Sequence, residues 1–324
     1  MLDIHSILYY IFARLSTVFY ILEDKMSKIK NSVFAGCATA LVTPFKDGKI
    51  DYDTLEWNIE FQIACGIDAL VICGTTGEVA SLSEDEHKSC IDFAVKTVAG
   101  RIPLIAGTGS NNTAHAIRMS CFACEYGADA LLVVTPYYNK ASASGLLRHY
   151  LAIANTVTKP IILYNVPSRT GVDLPLSVCE ELSHHERIVA LKDASGNIAR
   201  AEEMISRFGD RLELYCGNDD IILPMLAVGC TGAISVASNI IPRELADLCR
   251  LWREGKHSAS AEISKKYAPL IRALSTEVNP IPIKTAMAKM GFCHEEFRLP
   301  LCEAEEKNRA LIYNALNKFN LHRE

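Results

Sequence analysis

From residue 34 onward the chain alternates between two kinds of stretch. The first is short and apolar: "FAGCATALVTPF", "DALVICG", "IPLIAGTG", "ADALLVVTPYY", "KPIILYNV", "RIVALKDAS", "RLELYCGND" and "TGAISVAS". These runs are rich in Val, Ile and Leu and show no strict alternation of apolar with polar residues. A strand with one wet face alternates. A strand buried on both faces does not, and such strands belong to parallel sheets. The second kind carries helical spacing, as in "DTLEWNIEFQIACG", "EDEHKSCIDFAVKTVAG" and "TAHAIRMSCFACEYG". Gly66, Gly100, Gly127, Gly209 and Gly229 close helical stretches, the position where glycine ends a helix at little steric cost.

Parallel strands need crossover connections, usually helices. Eight strand–helix units over about 220 residues match a closed (β/α)8 barrel, the TIM-barrel form of the α/β class, in count and size. A doubly wound open sheet is the alternative. It would prefer a glycine-rich nucleotide turn after the first strand, where this chain has "TPFKDGKID". "GTGSN" at 107–111 is a lone GxG and weak evidence of a phosphate site. Beyond the eighth unit and its helix at 241–256 lie three more helical stretches, at about 259–275, 280–292 and 303–319. "NPIPIK" (279–284) separates the first two. The barrel is therefore assigned to residues 26–256 and a C-terminal helical appendage to 257–324.

Residues 1–25 do not fit this plan. "IHSILYYIFARLSTVFYIL" (4–22) is nearly all apolar, yet Arg14 sits in its middle. A central arginine costs roughly 2.5–3.5 kcal/mol against membrane insertion. The start is not basic and no small-residue cleavage site follows, so a signal peptide fits poorly too. Met26 opens "MSKIKNSVFAG", which reads like an ordinary cytosolic N-terminus. The expectation is an apolar extension outside the fold, upstream of the true start, on a cytoplasmic protein. No membrane association is expected.

Composition narrows the function classes. The 324 residues are 49% hydrophobic, which allows a sizeable core, and the net charge is −5. No basic tract interleaves with aromatics, which argues against nucleic acid as a partner. The twelve cysteines sit mostly within apolar runs, as reduced core residues would. The one CxxC, Cys121 to Cys124, lies in a helical stretch with no second pair and no His cluster, and is read as packing.

In a barrel of this kind chemistry sits at the C-terminal ends of the strands. Those ends carry Thr75, Thr76 and Glu78 in "CGTTGE", Tyr137 and Tyr138 in "TPYYN", Tyr164, Asn165 and Arg169 in "LYNVPSRTG", and Lys192 in "LKDAS". No His, Cys and carboxylate set suggests a metal site, and no Ser–His–Asp arrangement is present. Lys192 points into an apolar mouth, where desolvation favours the neutral amine. A neutral amine attacks a carbonyl and loses water to give an imine, which acts as an electron sink. The plainer reading is a lysine paired with Asp193 or another acid at the rim; position alone leaves both open. Imine chemistry must move protons, and tyrosine hydroxyls linked to threonine hydroxyls can relay them. A strand-end tyrosine can equally cap a core with its hydroxyl in water. Arg169 suits bidentate binding of a carboxylate, or is a solvated loop arginine.

The set "GTTGE", "AGTG", "VTPYYN", "YNVPSRTG", "LKDASGN", "GAISV" and "NPIPIK", in this order and spacing, resembles the dihydrodipicolinate synthase family. The likeness runs from about Phe34 to the C-terminus. "GTTGE" alone indicates only the wider pyruvate-dependent class I aldolase superfamily. The resemblance implies condensation of pyruvate with L-aspartate 4-semialdehyde, toward diaminopimelate and lysine, with no metal and no bound cofactor. Lys192 matches the imine-forming lysine and Tyr164 the proton-shuttling tyrosine. Thr76 and Tyr138 look like the rest of the relay, with Tyr138 lent across a dimer interface. Thr75 neighbours the pyruvate carboxylate, Arg169 resembles the residue that binds the aldehyde's carboxylate, and Gly217 and Ile234 line the pocket. Most members are homotetramers, built as dimers of dimers.

At the family's feedback site for lysine the likeness is partial. Ala80, His87, Asn111 and Tyr137 are kept. Val79 stands where lysine-inhibited members tend to have serine, Glu84 where they have histidine, and His115 where they have a glutamate that pairs with the ligand's ammonium. Losing that carboxylate removes a contact worth roughly 1.5–3 kcal/mol, so lysine inhibition is expected to be weak or absent. The nearest rival readings are an N-acetylneuraminate lyase or keto-deoxy sugar acid aldolase, and a non-catalytic ligand-sensing relative. The presence of Arg169 argues against the first pair, and the complete set of lysine, tyrosines, threonines and arginine against the last.

Overall fold

The computed structural model describes residues 32–321. Eight parallel strands close into a barrel: β1 (Gly36–Ala40), β2 (Ala69–Ile72), β3 (Leu104–Gly107), β4 (Ala130–Val134), β5 (Ile161–Asn165), β6 (Ile188–Asp193), β7 (Glu213–Cys216) and β8 (Gly232–Ser235). Each pairs with the next in sequence, and β8 returns to β1. The α/β barrel class read from the sequence is the architecture observed.

The helices α1 (Tyr52–Ala64), α2 (Glu84–Val98), α3 (Thr113–Tyr126), α4 (Ala143–Ala154), α5 (Leu176–Leu182), α6 (Ile198–Phe208), α7 (Ile222–Ala227) and α8 (Pro242–Arg253) cross between strands or follow the last one. Their starts are written in short polar side chains. Asp51, Ser83, Asn112, Ser142 and Asn197 each accept from a backbone N–H of the first turn, satisfying donors a helix start leaves free. Ser83 and Glu86 form a reciprocal capping box. Of the glycines expected at helix ends, Gly127 adopts the left-handed φ of 101°, whereas Gly209 ends α6 right-handed at −67°.

Strand residues sort into two layers. Ala38, Ala69, Val71, Ile105, Ala130, Leu132, Ile162, Ala190 and Ile234 fill the barrel interior. Their neighbours Leu70, Ile72, Leu131, Val133, Leu163, Leu191 and Leu214 pack outward against the helices. Both faces are dry, which is why the runs do not alternate. Closure depends on one glycine: a Cβ on Gly232 would lie 2.0 Å from the Gly36 carbonyl oxygen. Phe34 stacks on Tyr215 with ring centroids 4.3 Å apart, and Tyr215 Oη donates to the Phe34 carbonyl at 2.7 Å. Since Phe34 precedes β1, this pair plugs the N-terminal end.

Beyond the barrel lie α9 (His257–Ala273), α10 (Ile281–Lys289) and α11 (Glu306–Lys318), with α9 packed on α8 and α11 on both α9 and α10. Among the described residues no helix is long and apolar enough to cross a membrane. The apolar stretch 1–25 lies outside the described residues.

Candidate active site

Strand β6 delivers Lys192 to the C-terminal end of the barrel, in register with Tyr164 on β5 and Tyr215 on β7. It shares the inward parity of Ala190, so its side chain enters the interior layer and is 5% exposed. Its Nζ lies 4.4 Å from the centre of the Tyr164 ring, and Tyr164 is itself buried. Among the described residues Lys192 makes no ion pair. The acid beside it is committed elsewhere: Asp193 accepts from Asn165 Nδ2 at 2.8 Å and Ser195 Oγ at 2.6 Å, with Arg200 Nε 3.9 Å away. Asn165 also donates to Asp173 at 2.8 Å. A polar cluster outside the barrel thus holds Asp193 away from the amine, while the buried Asp219 carboxylate lies within electrostatic reach of Lys192 without closing to an ion pair among the described residues.

Gly217 follows β7 and Ile234 lies in β8. Ile234 belongs to the interior layer. Gly217 N–H donates to the Asp193 carbonyl at 2.8 Å, and a Cβ there would meet Ala194 Cβ at 2.8 Å. No side chain fits where β7 passes the end of β6.

The turn after β2 carries Thr75 and Thr76. Thr76 is buried, and its hydroxyl accepts from Asn279 Nδ2 at 2.9 Å. Glu78 closes the turn in the left-handed region, φ 52°, rare for a residue with a side chain. What holds it is a dry ion pair. Lys284 Nζ donates to Glu78 Oε1 at 2.6 Å, to the Thr43 carbonyl at 3.2 Å and to the Glu296 carbonyl at 2.6 Å. All three ammonium protons are used, as a buried pair requires. Burial pulls the Lys284 ammonium below lysine's ordinary pKa, while the Glu78 carboxylate works against that shift. Arg298 continues the tie, reaching both oxygens of Glu86 at 2.6 and 2.7 Å. It holds the Glu86 carboxyl down to about 2. Thr43 Oγ donates to the Gly77 carbonyl at 2.7 Å from the other side.

Arg169 leaves the short helical turn Pro167–Thr170 after β5, and its Nη2 donates to the Asn279 carbonyl at 2.7 Å. A cavity of about 520 Å³ joins Thr75, Arg169 and Asn279 to Ala80, His87 and Tyr137. Asn111 borders this region, and its carbonyl accepts from Asn139. His87 is nearly buried, its Nε2 2.8 Å from the Gly107 carbonyl, and burial pushes its pKa down to about 4. Glu84 reaches toward His115, with Oε2 3.4 Å from Nδ1, but Lys88 donates to its other oxygen at 2.7 Å and Arg118 lies within 3.4 Å.

The structure does not bring Tyr138 to Lys192 within one chain. Tyr138 is 90% exposed with φ 70°. All twelve cysteines are free thiols. Among the described residues no three His, Cys, Asp or Glu side chains are grouped to hold a metal ion.

Sequence reading gave no individual role to Asn279 and Lys284, and did not foresee the clamp on Asp193. "NPIPIK" was legible as a break between helices. The signal for more was one cation inside an apolar run, since lysine rarely enters a core without partners.

A closed parallel barrel with an unpaired, buried amine beside a phenol at its C-terminal end has the form of a barrel lyase. Residues 33–319 match the Dihydrodipicolinate synthetase family, and the chain belongs to it. A 4-hydroxy-tetrahydrodipicolinate synthase of Clostridium novyi (strain NT) is 46% identical over 289 residues, 89% of this chain and 98% of that one. The crystal structure of dihydrodipicolinate synthase from Aquifex aeolicus is 44% identical, covers 90% of this chain and 100% of its own, and superposes with a TM-score of 0.88. A structure described as the first monomeric dihydrodipicolinate synthase variant is 37% identical over 90% of this chain and 98% of its own, also at 0.88.

Proposed function

We propose that the protein condenses pyruvate with L-aspartate 4-semialdehyde, the 4-hydroxy-tetrahydrodipicolinate synthase reaction, through an imine on Lys192. The carrying observation is the buried Lys192, without an ion pair among the described residues and next in sequence to an acid tied to Asn165 and Ser195. Nζ adds to the pyruvate keto carbon, and the carbinolamine loses water to give the imine. A C3 proton then leaves, the imine nitrogen takes up the electron pair, and the enamine attacks the aldehyde carbon. Tyr164 carries protons to and from nitrogen and oxygen at these steps. Thr76 and Tyr138 complete its relay, Thr75 receives the pyruvate carboxylate, and Arg169 receives that of the aldehyde. Gly217 and Ile234 shape the pocket, and no metal or bound cofactor takes part. The assay that tests this offers the enzyme pyruvate with L-aspartate 4-semialdehyde, and separately N-acetylneuraminate and keto-deoxy sugar acids. Turnover of the first pair alone is the expected result; preference for a sugar acid would overturn the assignment.

The exposure of Tyr138 supports a working unit of at least two chains, each lending this phenol to the other, within a homotetramer built as a dimer of dimers. Specific activity should then fall on dilution, as dissociation leaves the relay incomplete. Full activity in a sample proven monomeric by light scattering would contradict it. The cytoplasm is the compartment this reading implies.

A further inference from the structure

One residue joins the turn after β2 to the loop after β5, by its side chain to the first and its backbone to the second. Asn279 donates from Nδ2 to Thr76 Oγ at 2.9 Å, and its backbone carbonyl accepts from Arg169 Nη2 at 2.7 Å. It lines the same cavity as Thr75 and Arg169. Its Oδ1 is buried with no hydrogen-bond partner among the described residues, where the amide makes one side-chain bond, to Thr76.

The direction of that bond has a chemical consequence. A threonine hydroxyl has one proton to give and two sites that accept. Since Asn279 fills one accepting site, the Thr76 proton stays free for a carboxylate or a phenol. An acceptor in place of the amide nitrogen would capture that proton and reverse the polarity of the hydroxyl.

The segment that carries Asn279 is itself fastened. Five residues on, Lys284 is locked to Glu78 and to the Thr43 and Glu296 carbonyls. One C-terminal segment thus grips the catalytic turn twice, at Thr76 and at Glu78, and holds Arg169 by the carbonyl between them. A displacement of the segment would move the hydroxyl and the guanidinium together.

We propose that Asn279 is a positioning residue that keeps Thr76 a donor and sets its turn, with the neighbouring Thr75 that receives the pyruvate carboxylate, in register with Arg169, so that the two substrate carboxylates are bound in a fixed mutual orientation. This rests on the function proposed above. It acts through Thr76 and Arg169, not on the reacting atoms.

The test uses the full chain and the variants N279A, N279D, T76V and N279A/T76V. Two quantities are read: the pyruvate concentration for half-maximal borohydride trapping, and KM for each substrate in turnover. N279A should raise the pyruvate half-trapping concentration and the aldehyde KM by about threefold to tenfold, the loss of one hydrogen bond. N279D should raise them further, because it takes the Thr76 proton. Thermal midpoints should stay within a few degrees of the wild type. The double variant should match T76V in pyruvate trapping, as expected when two residues act through one bond. Unchanged trapping and KM in both N279A and N279D would overturn the proposal, as would full additivity in the double variant. A weakening that merely follows a falling thermal midpoint would also overturn it. The wild type separates the two claims. If it traps pyruvate on Lys192 while the variants behave normally, the positioning role alone fails; if it does not trap, the functional reading fails and takes this one with it.

Discussion

Two lysines are buried among the described residues, and they are held in opposite ways. Lys284 sits between the C-terminal region and the turn after β2 with three oxygen partners, one of them a carboxylate. Lys192 sits in the barrel mouth over a tyrosine ring and, among the described residues, makes no ion pair. Desolvating an ammonium is costly, so Lys284 is built as structure, with every proton satisfied. Lys192 is denied such partners although an acid is its neighbour in sequence. The difference shows that burial alone does not mark a reactive amine. On the proposed reading, what sets Lys192 apart is burial with the acid next to it in sequence bound instead to Asn165 and Ser195.

Exchanging the fates of the two residues gives the largest effect. Lys192→Ala should reduce condensation by at least about a thousandfold, as loss of a nucleophile does, with an unchanged unfolding curve. Lys284→Met should do the reverse, leaving imine formation on Lys192 but lowering stability by roughly 3–5 kcal/mol, because Glu78 is left buried and alone. Urea denaturation measures this. Adding Glu78→Gln to Lys284→Met should recover part of that loss; no recovery would mean that the pair does not act as a unit.

A buried histidine sharpens the same contrast between burial and pairing. Burial lowers His87 to about 4, below the ordinary 6.5, so it stays neutral in the fold while the unfolded chain takes up a proton. Its contribution is whole above pH 6.5 and is lost as pH falls toward 4, by at most about 3 kcal/mol. His149, also lowered to about 4 by burial, adds in the same window. Glu86, held to about 2 by Arg298, loses its contribution only between about 4.5 and 2. Thermal midpoints should therefore begin to fall near pH 6.5, and His87→Gln should flatten that first slope.

The smallest effect concerns a visiting ammonium. Free lysine entering the cavity would need what Glu78 gives Lys284, an available carboxylate. Glu84 is engaged by Lys88 and faces Arg118 and His115. Inhibition by lysine should be weak or absent, and His115→Glu should strengthen it about tenfold or more. A wild-type inhibition constant in the low micromolar range would contradict this.

Much of the scaffold was legible in the sequence because it rests on local signals. Unbroken apolar runs announced strands dry on both faces, and residues such as Ser83 and Asn112 stood at helix starts. Lys192 and Tyr164 were legible as strand-end residues because period-two parity and strand order place them side by side. The Asp193 clamp was not, because Asn165, its main partner, lies on the neighbouring strand 28 positions away and reaches it only once β5 and β6 pair. The grip of Asn279 and Lys284 on the turn at 75–78 spans some two hundred positions, and no spacing rule reaches that far. Tyr138 posed a different difficulty: it sits at a strand end like the others, yet the folded single chain turns it out to solvent.

The direct test of the contrast between the two lysines is reduction with borohydride in the presence of pyruvate, followed by peptide mapping. The account predicts a pyruvate-dependent mass increase on Lys192 and none on Lys284. Labelling of another lysine, or no labelling with pyruvate at saturating concentration, would contradict it.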